Sequence, residues 1–316
     1  MTIGVAGSKG FIGSYLTRRL AASRRGTLRL LVRNLGSDNI PEEGVELVRG
    51  NLGDVQDCDQ FAAGASLIFY LAHANTPVNS DLDQAGDALA NLLPLLNLID
   101  AVRRLGTKPH VVYFSSGGAV YAAKPDKSSY RETDPCAPVS SYGIQKLAAE
   151  EYLRLAARKG QLTATVLRVG NAYGTLLPQH RMQGLIGVAM NNILHKKPVR
   201  VFGNLNNVRD YVHLEDICDM AERAATPREP FTIVNVGSGV GHSVLDVLKL
   251  MEECHGAPIE ILKDDSCGHW LADWAVLDST KAREQFGWCP AIDLRSGIMT
   301  MMTALNRELQ TATVSA

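Results

Sequence analysis

The chain lacks most features that mark a specialised protein class. It has no charge excess: 32 Lys and Arg stand against 33 Asp and Glu, a net of −1. That balance argues against a strongly basic nucleic-acid binder and against a polybasic membrane-surface protein, so neither nucleic acid nor membrane is an expected partner. It has no cysteine pairing: Cys58, Cys136, Cys218, Cys254, Cys267 and Cys289 are scattered and form no C-x-x-C pair. A zinc ribbon or dithiol centre is therefore not indicated, no metal is expected, and idle thiols in a reducing cytoplasm are the expectation. It has no long hydrophobic run, because the most apolar stretch, 88–99, is broken by Asn91, Pro94 and Asn97. No membrane span is expected, and a strand-like start at residue 2 leaves no room for a signal peptide. It also has no internal repeat. What remains is an ordinary globular composition, 46% apolar and 21% charged over 316 residues. A chain of this length buries about three quarters of its unfolded surface without disulfide or metal, and it suggests two domains or one large domain with an appended lobe.

The first half alternates strand and helix. The spacing predicts strands at Thr2–Ala6, Leu28–Val32, Val45–Val48, Leu67–Ala72, Val111–Ser115 and Thr163–Arg168. Helical patterns cover 11–22, 83–105 with a kink at Pro94, and 142–159. This order predicts an α/β fold, a Rossmann-type doubly wound parallel sheet with a smaller C-terminal lobe. After about residue 172 the rhythm gives way to a loop, a helix at 184–195, short strands and turns, with 231–236 returning to the sheet. The expected division is a dinucleotide-binding domain of 1–171 plus about 231–239, and a substrate-binding lobe of 172–230 and 240–316, ending in a frayed tail at 311–316.

Between the first strand and the first helix lies Gly7-Ser-Lys-Gly10-Phe11-Ile12-Gly13. Glycines permit a tight turn, close approach of a pyrophosphate and close helix–strand packing, and the helix N-terminus offers free N–H groups to phosphate. The spacing is G-x-x-G-x-x-G; its strand–loop–helix setting at the N-terminus makes it a dinucleotide-loop candidate rather than a plain turn. The second strand ends near Arg33, twenty positions after Gly13. An acidic residue there would bind the adenosine ribose hydroxyls of NAD, whereas arginine suits the 2′-phosphate of NADP; a solvated surface arginine is the alternative.

A second motif is Ser140-Ser141-Tyr142-Gly143-Ile144-Gln145-Lys146 at a helix start. Tyr142 and Lys146, at i and i+4, share one helical face. A nearby ammonium favours phenolate and would lower the tyrosine pKa toward neutrality, making Tyr142 a general acid or base for an alcohol/ketone pair. The strand before it ends in Phe114-Ser115-Ser116-Gly117-Gly118, and hydroxyls at a strand's C-terminal end sit where open α/β sheets bind ligands.

With these motifs, and with Leu167-Arg168-Val169-Gly170-Asn171, Val208-Arg209-Asp210-Tyr211-Val212-His213 and Asn235-Val236-Gly237-Ser238-Gly239-Val240-Gly241, the chain resembles the extended short-chain dehydrogenase/reductases. It is closest in pattern to their nucleotide-sugar epimerase/dehydratase branch, including UDP-galactose 4-epimerases. The resemblance implies that Tyr142 exchanges a proton with a sugar hydroxyl, that Lys146 holds the nicotinamide ribose, and that Ser116 hydrogen-bonds the reacting oxygen. It implies a cofactor site, for NAD or NADP, at Gly7, Gly10, Phe11, Ile12, Gly13, Arg33, Asn51, Leu52, Ala72, His73 and Asn91, with Tyr142 and Lys146. It implies that Asn171 and Arg209, with Ser116, meet a nucleotide-sugar substrate; an ion pair of Arg209 with Asp210 or Glu215 is the alternative. Relatives carry an Arg-x-x-Asp pair where this chain has Cys267-Gly268-His269-Trp270-Leu271-Ala272-Asp273. A diphosphate or ribose contact is thus lost or supplied by a group such as His269. A small residue at Ala275 leaves room, within the family, for an N-acetyl group.

Absences narrow the reaction. The positions where 4,6-dehydratases carry an Asp-Glu pair are Gly118 and Ala119, and Ala119 also stands where 3,5-epimerases carry cysteine. What remains is C4 epimerisation, or an NADPH-dependent reduction or oxidation at C4. Arg33 leans toward NADP, epimerase chemistry toward NAD. A catalytically dead nicotinamide-binding sensor is the reading from another class. The helices at 83–105 and 142–159 resemble those of a family dimer interface, so a cytoplasmic homodimer is expected.

Overall fold

Seven parallel strands meet in one sheet, and their order decides which loops can share a ligand. The computed structural model describes residues 1–34, 43–75, 80–176, 184–264 and 272–314. The chain runs β1 (Thr2–Ala6), α1 (Phe11–Ser23), β2 (Thr27–Val32), β3 (Val45–Arg49), α2 (Val55–Ala62), β4 (Ala65–Tyr70), a 3-10 turn (Ser80–Leu82), α3 (Gln84–Leu105), β5 (His110–Ser116), α4 (Ser141–Arg158) and β6 (Thr163–Val169). It continues β7 (Asn171–Tyr173), α5 (Leu185–Leu194), β8 (Val199–Phe202), β9 (Val208–His213), α6 (Leu214–Ala224) and β10 (Phe231–Val236). Then follow β11 (Gly241–Ser243), α7 (Val244–His255), β12 (Ile261–Asp264), β13 (Trp274–Ala275), α8 (Thr280–Phe286) and α9 (Leu294–Val314).

The large sheet has the order β10-β6-β5-β4-β1-β2-β3. From β1 the chain proceeds to β2 and β3 on one side and to β4, β5 and β6 on the other. The strand order therefore reverses between β1 and β4, and the crevice beyond their C-terminal ends is where such sheets take ligands. The inner strands are apolar and buried along nearly their whole length, as sheets covered on both faces require. One face packs α1, α6 and α8 through Leu16, Ile217, Phe286 and Trp288; the other packs α2, α3 and α4 through Phe61, Leu95, Leu98 and Leu153. A further apolar cluster joins α5, α7 and α9 to β8 and β9 through Ile186, Met190, Val247, Ile298 and Met302. Around it lie a small sheet of β11, β9 and β13, with β7 on β9, and the pair β12–β8.

The structure departs from the sequence expectation in several places. β4 spans Ala65–Tyr70 and stops short of Ala72, which leaves 71–75 as a loop at the crevice. The sequence reading does not pick out the helices α2, α6, α7, α8 and α9. The expected tail is helical over 311–314, as the end of α9. α3 continues through Pro94, and by length and composition it is apolar enough to cross a membrane. Here it packs against α2 and α4 and buries Asp87, Asn91, Leu95 and Leu98, as a core helix does.

Candidate active site

The glycine loop turns tightly between β1 and α1. Gly10 N–H donates to the Gly7 carbonyl at 2.9 Å, and Gly7 has φ +90°, a left-handed conformation that favours glycine. A Cβ on Gly7 would stand 2.7 Å from the Ala72 nitrogen, and one on Gly13 only 2.0 Å from the Gly7 carbonyl oxygen. The loop is thus pressed against both α1 and the loop after β4, leaving Phe11 and Ile12 half-buried in the first turn of the helix. Gly10, the N-cap of α1, has no side chain to cap it. Ser8 Oγ, in the same loop, is buried without a hydrogen-bond partner among the described residues. An open helix N-terminus beside glycines that admit no Cβ fits a dinucleotide pyrophosphate.

Across the crevice, α4 begins where Ser140 accepts a hydrogen bond from Gly143 N–H at 3.2 Å. The 3-10 turn supplies two more acceptors: Asp81 takes Ser141 N–H at 2.7 Å and Ser80 takes Tyr142 N–H at 3.1 Å. Tyr142 is thereby fixed in the first turn. One turn on, Lys146 is buried, donates to the Phe114 carbonyl at 2.9 Å and lies 5.6 Å from the Tyr142 ring centre. Ser116, at the end of β5, lies near enough to the Tyr142 phenol for its hydroxyl to favour the ionised form. The His73 ring meets the Tyr142 ring edge-on at 4.8 Å, and its Nε2 is buried without a hydrogen-bond partner among the described residues. Burial lowers this imidazole to about 2, with the Lys146 charge acting in the same direction. The sequence reading has Lys146 drawing the phenol toward neutrality. In the structure burial raises the phenol instead, opposed by Ser116, and burial lowers the Lys146 ammonium to about 7, opposed by Glu150.

Two buried carboxylates escaped the sequence reading. Glu150 pairs with Arg168 at 2.6 Å and accepts from Ser115 Oγ at 2.5 Å, which ties α4 to β5 and β6 directly beneath Ser116 and Lys146. Asp87 accepts from Asn75 Nδ2 and Gln145 Nε2 at 2.7 Å each, from Asn91 Nδ2 at 2.6 Å and from Ser141 Oγ at 2.8 Å. It joins the loop after β4, α3 and the start of α4 in one polar knot. Their helical spacing to Lys146 and to Asn91, four residues in each case, was the available signal; their partners on other elements gave none.

The remaining expected residues divide. Asn91 Oδ1 takes Ala74 N–H at 2.6 Å, so this amide shapes the crevice loop through its own bonds. Arg33, just past β2, lines a groove with Arg49, Gly50, Asn51 and Asp57. Asn51 is exposed and its side chain accepts from Gly53 N–H, while Leu52 is buried beneath it. Asn171 opens β7, with its Oδ1 3.5 Å from where a Gly118 Cβ would stand, so it faces the turn after Ser116. Arg209 in β9 pairs with neither Asp210 nor Glu215. Asp210 is held by Ser238, Gly239 and Leu277, and Glu215 by Tyr15 and Arg19. Ala275 is buried and in register with Arg209. Cys267 and His269 lie outside the described residues.

A parallel sheet with a glycine turn at its switch point, facing a Tyr–Lys helix, defines an enzyme of the nicotinamide-dependent short-chain dehydrogenase/reductase class. Within that class the chain belongs to the NAD dependent epimerase/dehydratase family, whose model matches residues 3–237. It is 31% identical over 302 residues to UDP-glucose 4-epimerase of Mycolicibacterium smegmatis, covering 93% of this chain and 95% of that protein. It is 30% identical to dTDP-6-deoxy-L-talose 4-dehydrogenase (NAD(P)(+)) of Kitasatospora kifunensis, covering 96% and 95% respectively. Among solved structures, UDP-glucose 4-epimerase of Thermotoga maritima with UDP-glucose superposes with a TM-score of 0.89 at 27% identity, over 98% of this chain and all of that one. The Thermus thermophilus UDP-glucose 4-epimerase complexed with NAD gives 0.86 at 28% identity, over 97% and 99%.

Proposed function

We propose that the protein is a nucleotide-sugar C4 epimerase. The carrying observation is the grouping of Tyr142, Ser116 and Lys146 at the end of β5, followed directly by Gly117, Gly118 and Ala119. The nicotinamide, when bound, supplies reversible hydride acceptance. In this reading Tyr142 takes the proton of the sugar C4 hydroxyl as phenolate and returns it as phenol, and the Ser116 hydroxyl steadies the same oxygen. Lys146, tied to the Phe114 carbonyl, holds the cofactor ribose. Because Gly118 and Ala119 offer no acid, base or thiol, the residues supply proton transfer only at O4, and neither water loss nor C3/C5 inversion has a catalyst. A hydride leaves C4 and a proton leaves O4; the hydride returns to the opposite face of C4 and the proton to O4, so the reaction is redox-neutral.

The glycine loop with Ala72 and His73 would hold the cofactor, and Asn171 and Arg209 the substrate diphosphate. The elements around the α5–α7–α9 cluster serve as the substrate lobe, with Ala275 beside Arg209 leaving room for a sugar substituent. The free thiols of Cys58, Cys136, Cys218, Cys254 and Cys289 suit a reducing cytoplasm. The names of the relatives support a nucleotide sugar as substrate.

A second reading, reduction or oxidation at C4 with exchange of NADP(H), is favoured by Arg33 at the groove beyond β2. Incubation with UDP-hexoses and their N-acetyl forms, followed by chromatographic separation of C4 epimers, tests the proposal. Epimer formation without net change in nicotinamide absorbance is expected, and Tyr142→Phe should lower it about 100-fold or more with cofactor binding intact. Stoichiometric reduction of added NADP+ with no epimer would replace the epimerase by the second reading.

A further inference from the structure

We infer that Asp210 is a positioning residue for the C4 reaction: its buried carboxylate clamps the segment around Leu277 onto the turn that carries Ser116, and so sets that hydroxyl relative to the strand that carries Arg209. The inference rests on the epimerase reading and goes beyond it, to a group that acts through its neighbours. Asp210 lies in β9 between Arg209 and Tyr211, with its side chain buried. Among the described residues its carboxylate accepts four hydrogen bonds. Oδ1 takes the Ser238 N–H and the Ser238 hydroxyl at 2.6 Å each. Oδ2 takes Gly239 N–H at 3.0 Å and Leu277 N–H at 3.2 Å. Three segments far apart in the chain, β9, the loop after β10 and the residues after β13, thus meet on one group.

The Leu277 end of this clamp reaches the reacting centre. A Cβ on Gly117 would stand 2.6 Å from Leu277 Cδ1 and 2.7 Å from its Cδ2, so this side chain lies directly on the backbone that follows Ser116. From the other side Gly117 N–H donates to the Val169 carbonyl at 2.9 Å, which holds the turn between β6 and Leu277. The β9 end reaches the residues proposed to hold the diphosphate. Arg209 precedes Asp210 and is in register with Ala275, and Asn171 is in register with Tyr211. Gly170, just before Asn171, is pressed on the Asp210 carbonyl, since a Cβ there would stand 2.8 Å from that oxygen. Each carboxylate oxygen faces at least one backbone N–H, so an amide in its place must turn its NH2 against a donor, whichever way it is flipped. The clamp then opens, and a shift of about 1 Å between reacting groups can cost about a hundredfold in rate.

The test compares parent, Asp210→Asn and Leu277→Ala with the UDP-hexose panel, measuring kcat and KM across the pH range, with dinucleotide affinity by calorimetry. We expect Asp210→Asn to lower kcat and raise KM, together about a hundredfold in kcat/KM, and Leu277→Ala to lower kcat about tenfold with KM unchanged. Both should move the acid limb of kcat to higher pH, because a withdrawn Ser116 hydroxyl no longer favours the Tyr142 phenolate. Dinucleotide affinity should stay within about twofold of the parent. An acid limb left at the parent position in Leu277→Ala, or kcat within about twofold of the parent in either variant, would overturn the inference. So would dinucleotide affinity falling in step with activity, which marks general support of the fold. If Asp210→Asn does not fold, Leu277→Ala decides by the same criteria. A parent that interconverts no C4 epimers would overturn the epimerase reading itself, an outcome seen before any variant is compared.

Discussion

At the scale of single residues, the candidate site trades solvation for geometry. His73 shows the cost. Its imidazole is held near pKa 2, against 6.5 when free, so below about 6.5 the unfolded chain takes up a proton that the folded chain refuses. This group therefore removes stability as pH falls from about 6.5 toward 2 and is neutral in effect above that window. His73→Asn should flatten the acid side of the profile: between about pH 8 and pH 5 the cofactor-free variant should lose less melting temperature than the parent. Equal losses in both would show that His73 is not the proton-refusing group. Gly13 shows the opposite limit, where space alone decides. A methyl there would stand 2.0 Å from the Gly7 carbonyl oxygen, so Gly13→Ala should open the loop, cost about 1–3 kcal/mol of stability and abolish measurable dinucleotide binding. Retained binding in a titration would contradict this. The residues legible in the sequence are those whose function depends on local spacing: the glycines, and Tyr142 with Lys146. Spacing reveals that Lys146 neighbours Tyr142 but not the depth at which both are buried, which acts on both groups.

Among the elements, α4 is the part on which the site depends most. Its start is fixed by Ser140 and the 3-10 turn, and its middle by Glu150 against Ser115 and Arg168. The helix was legible from its periodicity and its cap. Its anchoring was not, because Ser115 and Arg168 come from separate strands that only the sheet order brings together. Glu150→Gln leaves the Arg168 guanidinium buried without a counter-charge and should cost about 3–5 kcal/mol, read as a fall in unfolding midpoint. Replacing both partners by methionine should recover much of that loss. If the single variant melts with the parent, the pair is not a structural clamp. α3 gives the complementary lesson: its apolar sequence hides the buried Asp87, whose bonds to Asn75, Ser141 and Gln145 set the crevice loop against α4. The short helices α2 and α8 were illegible because a stretch of eight or seven residues holds too little periodicity to stand out.

For the whole molecule, α3 and α4 leave an apolar face outward: Leu89, Leu93, Ile144, Tyr152 and Leu155 are all exposed. The proposed homodimer would cover it. Light scattering should give twice the mass of one chain, and Leu89→Lys with Ile144→Lys should reduce it to one. A parent already at the mass of one chain would refute the dimer. The parallel sheet was legible in its alternation, whereas the later elements were not, since the chain there serves more than one core in turn. After β7, α5, β8 and β9, it returns to the sheet layer with α6 and β10, leaves for β11, α7, β12 and β13, returns with α8, and leaves again with α9. Such stitching has a consequence for protein engineering. The proposed sugar-recognising region is not a cassette: a crossover near residue 172 would take β10 and its pairing with β6 along with it. New specificity in this scaffold is better sought by exchanging loop residues in place than by splicing relatives.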